Sequence, residues 1–413
     1  MNKERVESIL KNNDYYSIND LRYNKKVGIM FSKDEFYEFL EIKDQMIDDG
    51  LDIFCKIPLK TFNSKHCFFV KSEYLKNILS EYLRIYILDY KIKHSTFLER
   101  NIKDMLVSRL FSEVEGTLKV ENVPTTHKRI AEVRKMEKPV EKNDIIIKNM
   151  FNAIDYIIKE KPRFNKENLL KLYNILSNDC LKEEDKLKEN NYYRHDSVYV
   201  DKYEGADYKI VEECMDSLFA FANNEANIKE FDILLPYICH YYILYVHPYF
   251  DYNGRTARMV SFWLNYINEV TIPPFFMSEA INDSKTKYYE ALTNTRETNN
   301  DLTYFLGYIM ETSIQYMFVY KNIEEIKSEL EKTGDTLSGS EWLYIKKIII
   351  NKPEDCFNYK MFLEFLGSDM TKQGALKILN KFVNYGILDK SKNKRNETIF
   401  KIKDNMITYK YSK

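Results

Sequence analysis

Apolar residues recur at helical spacing along much of the chain. Five of them follow one another every four positions: Leu98, Ile102, Leu106, Leu110 and Val114. This spacing predicts an amphipathic helix over residues 96–116, with Gly116 as its C-cap. Further helices are predicted at residues 145–160, 165–176, 210–222 and 231–246. The last of these is apolar on nearly every face, so we expect it to be buried.

Three regions follow one another along the chain. Residues 1–95 mix short strand and helix patterns. Residues 96–330 are rich in helix patterns, interrupted at 197–201 by an alternating segment that predicts a short strand in a flap. Residues 331–413 open on a stretch of small residues and continue with three helix patterns and a hairpin, the order of a winged helix. The sequence therefore predicts a mainly α protein, with a helical core, a short β-hairpin flap, a mixed N-terminal region and a C-terminal winged-helix domain.

Composition narrows the function classes only slightly. Lys and Arg number 62 against 63 Asp and Glu, so bulk charge does not favour binding to nucleic acid or to an anionic membrane. No apolar run approaches the roughly 20 residues that span a bilayer, and the N-terminus lacks the apolar core of a signal peptide. The six cysteines are scattered without a C-x-x-C pair, which argues against disulfides or a zinc site. We therefore expect a cytoplasmic protein that does not contact membranes.

The segment 246–258 carries the candidate chemistry. It predicts the end of a buried helix, a tight loop and the start of a second helix. Unpaired backbone N–H groups at the start of that helix, around Asn253, favour an anion, and Gly254 lets a phosphate approach the backbone closely. Arg255 and Arg258 are three residues apart, so they share a helix face and can bind further phosphates.

Two side chains of the loop add proton and metal chemistry. His247 is the one group in this segment able to take up a proton near neutral pH. Asp251 is a hard oxygen ligand suited to a Mg²⁺ ion that bridges phosphates. Combined with the anion site, these residues predict phosphoryl or nucleotidyl transfer.

At these residues the chain resembles the Fic family, whose signature is His-Pro-Phe-x-Asp-Gly-Asn-Gly-Arg-x-x-Arg. The matching residues are His247, Pro248, Asp251, Asn253, Gly254, Arg255 and Arg258. Tyr193 and Arg194, followed by Val198 and Val200, resemble the flap of the family, and residues 287–292 resemble a segment that lines its nucleotide pocket. The resemblance covers roughly residues 96–330, and a C-terminal winged helix is a common companion of this domain.

The resemblance implies a protein adenylyltransferase that moves AMP from ATP, with Mg²⁺, onto a hydroxyl side chain of a target protein or of itself. It assigns His247 as the base and Asp251 as the Mg²⁺ ligand. The nucleotide would be bound by Asn253, Gly254, Arg255, Arg258, Tyr288 and Tyr289. For the two tyrosines, a place in the core or the pocket wall agrees equally well with the sequence. We expect His240, on the buried helix, to be a hydrogen-bonded structural histidine.

Two positions depart from the family pattern. Tyr249 stands where the family has Phe, and its added hydroxyl needs a partner or solvent. Tyr252 replaces the first Gly of the Gly-Asn-Gly core, so a positive φ at this position would strain the loop. Its bulk could also change the donor nucleotide or the rate.

Family members often carry an inhibitory helix with the pattern Ser/Thr-x-x-x-Glu-Gly/Asn, whose Glu pairs with the second Arg. At the end of the predicted helix 96–116, Glu115 and Gly116 fit the last two positions, although Phe111 stands where the hydroxyl residue is expected. The resemblance therefore implies that Glu115 restrains the activity by pairing with Arg258.

Several alternatives stay open. The same domain could phosphorylate its target, transfer another nucleotidyl group or remove AMP. A regulator that binds DNA through the winged helix is an alternative from another class, and the basic tip of the hairpin would then contact phosphates. This tip carries Lys390, Lys392, Lys394 and Arg395. We rank protein docking by the winged helix ahead of DNA binding. The target protein is unknown, and a homodimer is open.

Overall fold

The computed structural model describes residues 1–12, 15–23, 30–93, 99–200, 203–267, 277–351, 356–366 and 370–406. The α-helices are α1 Lys3–Leu10, α2 Ile18–Tyr23, α3 Lys33–Asp48, α4 Glu73–Lys93, α5 Glu99–Val120, α6 His127–Lys135, α7 Lys142–Glu160, α8 Lys166–Ser177, α9 Val211–Ala222, α10 Glu225–Phe231, α11 Leu235–Val246, α12 Asn253–Ile267, α13 Met277–Asp283, α14 Lys285–Glu297, α15 Thr303–Thr333, α16 Gly339–Asn351, α17 Tyr359–Leu366 and α18 Lys372–Asn384. The strands are β1 Phe54–Lys60, β2 His66–Val70, β3 Tyr199–Val200, β4 Tyr203–Glu204, β5 Leu388–Lys392 and β6 Thr398–Ile402. The protein is mostly helical with small antiparallel hairpins, as the sequence predicted.

The chain divides into two compact units, Met1–Thr312 and Ser313–Lys413, and the division falls within α15. In the first unit, helices α1 to α3 and the β1–β2 hairpin share a small apolar core. Members of this core include Val6, Leu21, Phe39, Met46 and Val70. This N-terminal part is therefore the mixture of helices and short strands expected from its sequence.

Helices α11 and α12 pack against each other inside the first unit. Every residue of α11 except Leu244 is buried, which confirms the expectation for an apolar helix. The predicted helix over 231–246 is interrupted, because α10 ends at Phe231 and a single 3₁₀ turn, Asp232–Leu234, precedes α11. Pro236 lies in the first turn of α11, where its missing N–H breaks no hydrogen bond.

Helix α5 continues past Gly116, the end predicted from the sequence. Leu98 lies outside the described residues, and Leu110 and Val114 are buried. The helix does not end at Gly116, because Gly116 lies within it and faces the backbone of α13. A Cβ atom there would stand 2.3 Å from Glu279 N, so only glycine allows the two helices to approach this closely.

Helix α5 ends instead at Val120, and Asn122 in the turn that follows adopts a left-handed φ of 57°. The N–H of Val123 donates to Leu118 O at 2.9 Å across this turn, as in a Schellman motif. Asn tolerates the left-handed conformation better than most residues, which explains why the helix stops here.

The flap is a short hairpin in which β3 pairs with β4 in antiparallel fashion. Asp201, the last residue of the predicted strand, lies outside the described residues. On the side of the hairpin next to the first unit's core, Gly205 N–H donates to Val198 O at 3.1 Å and Ala206 N–H donates to Val246 O at 3.1 Å. The base of the flap is therefore bonded to the end of α11.

The second unit contains helices α16 to α18 followed by the β5–β6 hairpin. Its core is formed by buried residues of all these elements, among them Ile348, Phe362, Leu379, Leu388 and Phe400. The three helices and the hairpin occur in the expected order, and the assignment to the winged-helix class stays a prediction.

None of the helices in the described residues combines the length and the apolar character needed to cross a membrane.

Candidate active site

The loop between α11 and α12 is closed by the side chain of Asn253. Its Oδ1 accepts a hydrogen bond from Tyr249 N–H at 3.0 Å, and its Nδ2 donates to Tyr249 O at 2.8 Å. Asn253 is buried, so these bonds are shielded from water. The structure therefore gives Asn253 a role in shaping the loop, which brings the end of α11 next to the start of α12.

His247 ends α11 in the left-handed conformation, with φ 56° and ψ 62°. Its side chain is partly buried. Burial, with a smaller contribution from the guanidinium groups of Arg194 and Arg296, lowers the pKa of His247 to about 4. A hydrogen bond with the backbone of Leu244 and the charge of Asp251 oppose this shift. His247 is therefore neutral at pH 7 and has a nitrogen lone pair that can accept a proton.

Arg194 holds the backbone on both sides of His247. Its Nε donates to His247 O at 2.8 Å, a second nitrogen donates to Asp196 O at 2.6 Å, and a third donates to Ala206 O. The backbone N–H of Arg194 donates to Pro248 O at 3.0 Å. This buried guanidinium therefore ties the flap segment to the loop through carbonyl oxygens.

The N-terminus of α12 already holds a negatively charged group. Glu121, just beyond the end of α5, places its carboxylate beside Gly254, where an added Cβ would lie 2.7 Å from Glu121 Oε1. Arg258 Nη2 donates to the same oxygen at 2.6 Å, and Arg258 Nε donates to Thr117 Oγ1 at 2.8 Å. Free N–H groups and the helix dipole favour an anion at this position.

The charge state of Glu121 follows from its neighbours. Burial alone would raise the pKa of Glu121, but Arg258 and Arg255 outweigh burial and hold it below its ordinary value. Glu121 is therefore a carboxylate at neutral pH, and it occupies the position that the sequence assigned to a phosphate.

The structure contradicts the predicted pairing of Glu115 with Arg258. The carboxylate of Glu115 lies 2.6 Å from Lys119 Nζ and 2.7 Å from His127 Nε2 instead. Glu115 and Glu121 are almost two helical turns apart, and only Glu121 reaches α12. The regulatory role implied for Glu115 therefore loses its basis.

A signal for Glu121 is present in the sequence. Residues 117–122 match Ser/Thr-x-x-x-Glu-Gly/Asn at every position, with Thr117 as the hydroxyl residue, Glu121 as the acid and Asn122 at the end. The structure explains each position: Thr117 and Glu121 both bind Arg258, and Asn122 turns the chain. The prediction that the helix ends at Gly116 excluded this pattern, which begins one residue later.

Asp251, the candidate metal ligand, is accessible in the loop. Its side chain is 52% exposed, and its Oδ1 accepts from Tyr252 N–H at 2.5 Å. Among the described residues, no group of three His, Cys, Asp or Glu side chains could hold a metal ion alone. A single accessible carboxylate suits Mg²⁺, which is usually bound by one or two carboxylates together with substrate phosphates.

Tyr252 adopts a φ of 66°, the left-handed conformation that the sequence identified as a source of strain. This conformation costs a residue with a Cβ roughly 1–2 kcal/mol. The Tyr252 ring is buried, and the Cζ atom of Arg255 lies 3.3 Å from its centroid. The bulk of Tyr252 thus packs beneath Arg255.

The two tyrosines of α14 differ from their predicted common role. Tyr288 is buried, and its hydroxyl lies 2.9 Å from His240 Nε2, while His240 Nδ1 lies 2.9 Å from Ser261 Oγ. Tyr288 is therefore part of the core, and His240 is hydrogen-bonded inside the protein as expected. Tyr289 is 44% exposed and remains a candidate for contact with a ligand.

Comparison with known proteins identifies the class of this domain. Residues 163–264 match the sequence model of the Fic/DOC family, a segment that contains the flap, α11, the loop and most of α12. A Fic/DOC domain is therefore found in the first unit.

Solved structures of Fic proteins have a similar fold. Fic-1 (residues 134–508) from C. elegans aligns with a TM-score of 0.52 and 16% identity, over 70% of this chain and 78% of that one. A Fic family protein from Desulfovibrio desulfuricans G20 aligns with a TM-score of 0.49 and 15% identity, over 80% of this chain and 96% of that one. A Fic domain containing signaling protein from Bacteroides thetaiotaomicron VPI-5482 has a TM-score of 0.45 and 17% identity, over 59% and 94%. The alignment with Fic-1, the one of these three with a TM-score above 0.5, shows a similarity of fold alone at its 16% identity.

Proposed function

We propose that this protein is a Fic-type adenylyltransferase, which transfers AMP from ATP onto a hydroxyl side chain of a target protein. The observation that carries this proposal is the content of one short loop and the helix that follows it. The loop presents a neutral His247, and α12 begins with an anion site where Arg258 already binds the carboxylate of Glu121. A base beside a phosphate-binding helix terminus is suited to nucleotidyl transfer.

The reaction assigns a role to each side chain of the loop. His247 takes the proton of the target hydroxyl, whose oxygen forms a bond to the α-phosphorus, while the bond from that phosphorus to the bridging oxygen breaks and pyrophosphate leaves. The N–H groups at the start of α12 and the guanidinium of Arg255 bind the phosphate oxygens. Asp251 would hold Mg²⁺, which neutralises phosphate charge when it is bound.

Glu121 is the residue that we propose restrains this activity. Its carboxylate competes with a phosphate group for Arg258 and for the start of α12, because both are anions and the site is small enough that a Cβ on Gly254 would collide with Glu121. Removing the carboxylate leaves Arg258 able to bind a substrate phosphate.

The matched pair Glu121→Gly and Glu115→Gly tests the reaction and its restraint together. Both residues lie near the end of α5, but only Glu121 contacts Arg258. With Mg²⁺ and α-labelled ATP, we expect Glu121→Gly to raise the labelling of the protein itself or of proteins in a cell extract about tenfold or more. Tenfold corresponds to about 1.4 kcal/mol of competing ion-pair energy. Glu115→Gly should label like wild type.

Other outcomes separate the alternatives. Transfer of label from γ-labelled ATP alone would identify phosphorylation, and loss of AMP from a labelled protein would identify the reverse reaction. If Glu121→Gly binds ATP but transfers no label from either position, the proposed reaction is wrong. A salt-dependent shift of DNA in the absence of any transfer would then favour the regulator.

A further inference from the structure

Arg255 and Arg258 occupy the same face of α12, but their side chains are held in different ways. Arg258 has hydrogen bonds from Nε to Thr117 and from Nη2 to Glu121. For Arg255, the nearest carboxylate oxygen is Asp251 Oδ1, 3.7 Å from Nη2. Arg255 Nε is buried and has no hydrogen-bond partner within the described part of the chain.

Arg255 also lies against an aromatic face. Its Cζ atom lies 3.3 Å from the centroid of Tyr252, close enough for a cation–π interaction as well as van der Waals contact. Both side chains are buried, so the contact is shielded from water and the guanidinium has little space in which to move. A planar cation on a ring keeps its N–H groups at the edge, where they can meet an acceptor.

The backbone of Tyr252 makes this arrangement costly. Its φ of 66° is a conformation that glycine adopts without strain, yet a large aromatic residue occupies the position. The side chain reaches the Cys180 thiol with its hydroxyl and supports Arg255 with its ring. The contact with Arg255 requires an aromatic ring, which glycine lacks.

We propose that Tyr252 is a positioning residue, which holds Arg255 in place through its ring so that the N–H groups of Arg255 bind phosphate oxygens of the nucleoside triphosphate. This inference rests on the proposed nucleotide site and deepens it. Arg255, which Glu121 does not bind, is then the preformed part of that site. The aromatic ring of Tyr252, and not its hydroxyl, holds Arg255 in position.

Binding of ATP in the presence of Mg²⁺, measured by calorimetry on Glu121→Gly protein, tests this role without relying on transfer. Three further substitutions are compared on that background. Tyr252→Phe keeps the ring and loses only the contact with Cys180. Tyr252→Leu keeps a Cβ and an apolar side chain but loses the aromatic face. Tyr252→Gly also loses the face, and it suits the left-handed φ, so it remains informative if the leucine variant does not fold.

We expect Tyr252→Phe to bind ATP within twofold of its parent, and the leucine and glycine variants to bind it about 3- to 30-fold more weakly. Affinity for AMP, which lacks the two outer phosphates, should change much less. Equal affinity for ATP in all four proteins, or equal losses in the phenylalanine and leucine variants, would overturn the proposal.

The outcome is independent of the reaction class. If Glu121→Gly transfers no nucleotide but its ATP affinity still depends on the Tyr252 ring, the proposed reaction fails and the role of Tyr252 stands. If transfer occurs and ATP affinity does not depend on the ring, the reverse holds.

Discussion

The two ends of the loop between α11 and α12 are held in opposite ways. At the first end, Arg194 donates to backbone carbonyl oxygens, and burial keeps the ring of His247 neutral. At the second end, the carboxylate of Glu121 binds Arg258 and lies at the start of α12. The proposed base is therefore in its reactive form, while the proposed phosphate site already holds an anion.

This difference indicates where control can act on such a loop. A restraint that disordered His247 would have to disturb the buried core of α11, which carries much of the apolar packing. A restraint that fills the anion site needs only one carboxylate at a helix end. The proposed restraint and the proposed base are therefore separate residues, and each end of the loop can be tested by itself.

Removing the base should have the largest effect. On the Glu121→Gly background, we expect His247→Ala to lower the rate of AMP transfer by about 10²–10⁴-fold, because general base catalysis contributes this much. The rate is measured with α-labelled ATP, and ATP affinity should change little. His127→Ala is the matched control, since His127 contacts Glu115 away from the loop. Equal rates in the two variants would show that His247 is not the base.

The low pKa of His247 gives a second test of its proposed role as the base. A base with a pKa of about 4 is unprotonated from pH 5 upward, so kcat/KM of Glu121→Gly should not fall between pH 7 and pH 5 because of this residue. An unperturbed histidine would lose roughly 25-fold over the same range, from pH 7 to pH 5. The measurement is kcat/KM as a function of pH. A fall in kcat/KM centred near pH 6.5 would contradict the lowered pKa of the buried His247 ring.

The same shift affects stability, with a defined sign. Between pH 6.5 and pH 4 the unfolded chain binds a proton at His247 that the folded protein does not bind. The contribution of His247 to the free energy of unfolding is therefore fully present above pH 6.5 and is lost progressively as the pH falls towards 4.

The smallest expected effect concerns the packing beneath the loop. Tyr249 is buried, its ring stacks on Tyr173 with centroids 3.8 Å apart, and its hydroxyl has no hydrogen-bond partner among the described residues. Tyr249→Phe should therefore leave the free energy of unfolding unchanged or raise it by about 1 kcal/mol.

The matched control for this prediction is Tyr241→Phe, which removes a hydroxyl that donates to Asn300 Oδ1 at 2.7 Å. This change should lower the free energy of unfolding by about 1 kcal/mol. Denaturant unfolding measures both variants. A comparable loss in Tyr249→Phe would mean that its hydroxyl has a partner, such as a buried water.

Local patterns predicted the parts of this protein that depend on local chemistry. Helices α7, α8 and α9 could be predicted from periodic apolar residues and α11 from a nearly continuous apolar stretch, and the structure has these helices close to the predicted positions. The strain at Tyr252 could be predicted because the family pattern has glycine there, and the observed φ confirms it. Asp251, Gly254 and Arg258 fall on or beside one loop because they are close in sequence.

Contacts between distant segments were predicted less well. Gly116 resembled a helix end, and only the approach of α13 shows that it lies inside α5. The sequence prediction therefore did not include Glu121, although residues 117–122 match the inhibitory pattern at every position. Tyr288 is turned into the core by His240, a partner on another helix that no pattern in α14 reveals.

The position of Gly116 also bears on how the proposed restraint could be lifted. Because α5 is pressed against the backbone of α13 at this residue, moving the whole helix away would break a close-packed contact. Thr117 and Glu121, however, both lie beyond Gly116, within the final turn of α5 and its cap. Helix ends fray at low cost compared with global unfolding. If Glu121 restrains the reaction as proposed, unwinding this terminal turn would release it at the cost of exposing the buried Leu118 and Val120, an equilibrium that a binding partner could shift without displacing the rest of α5.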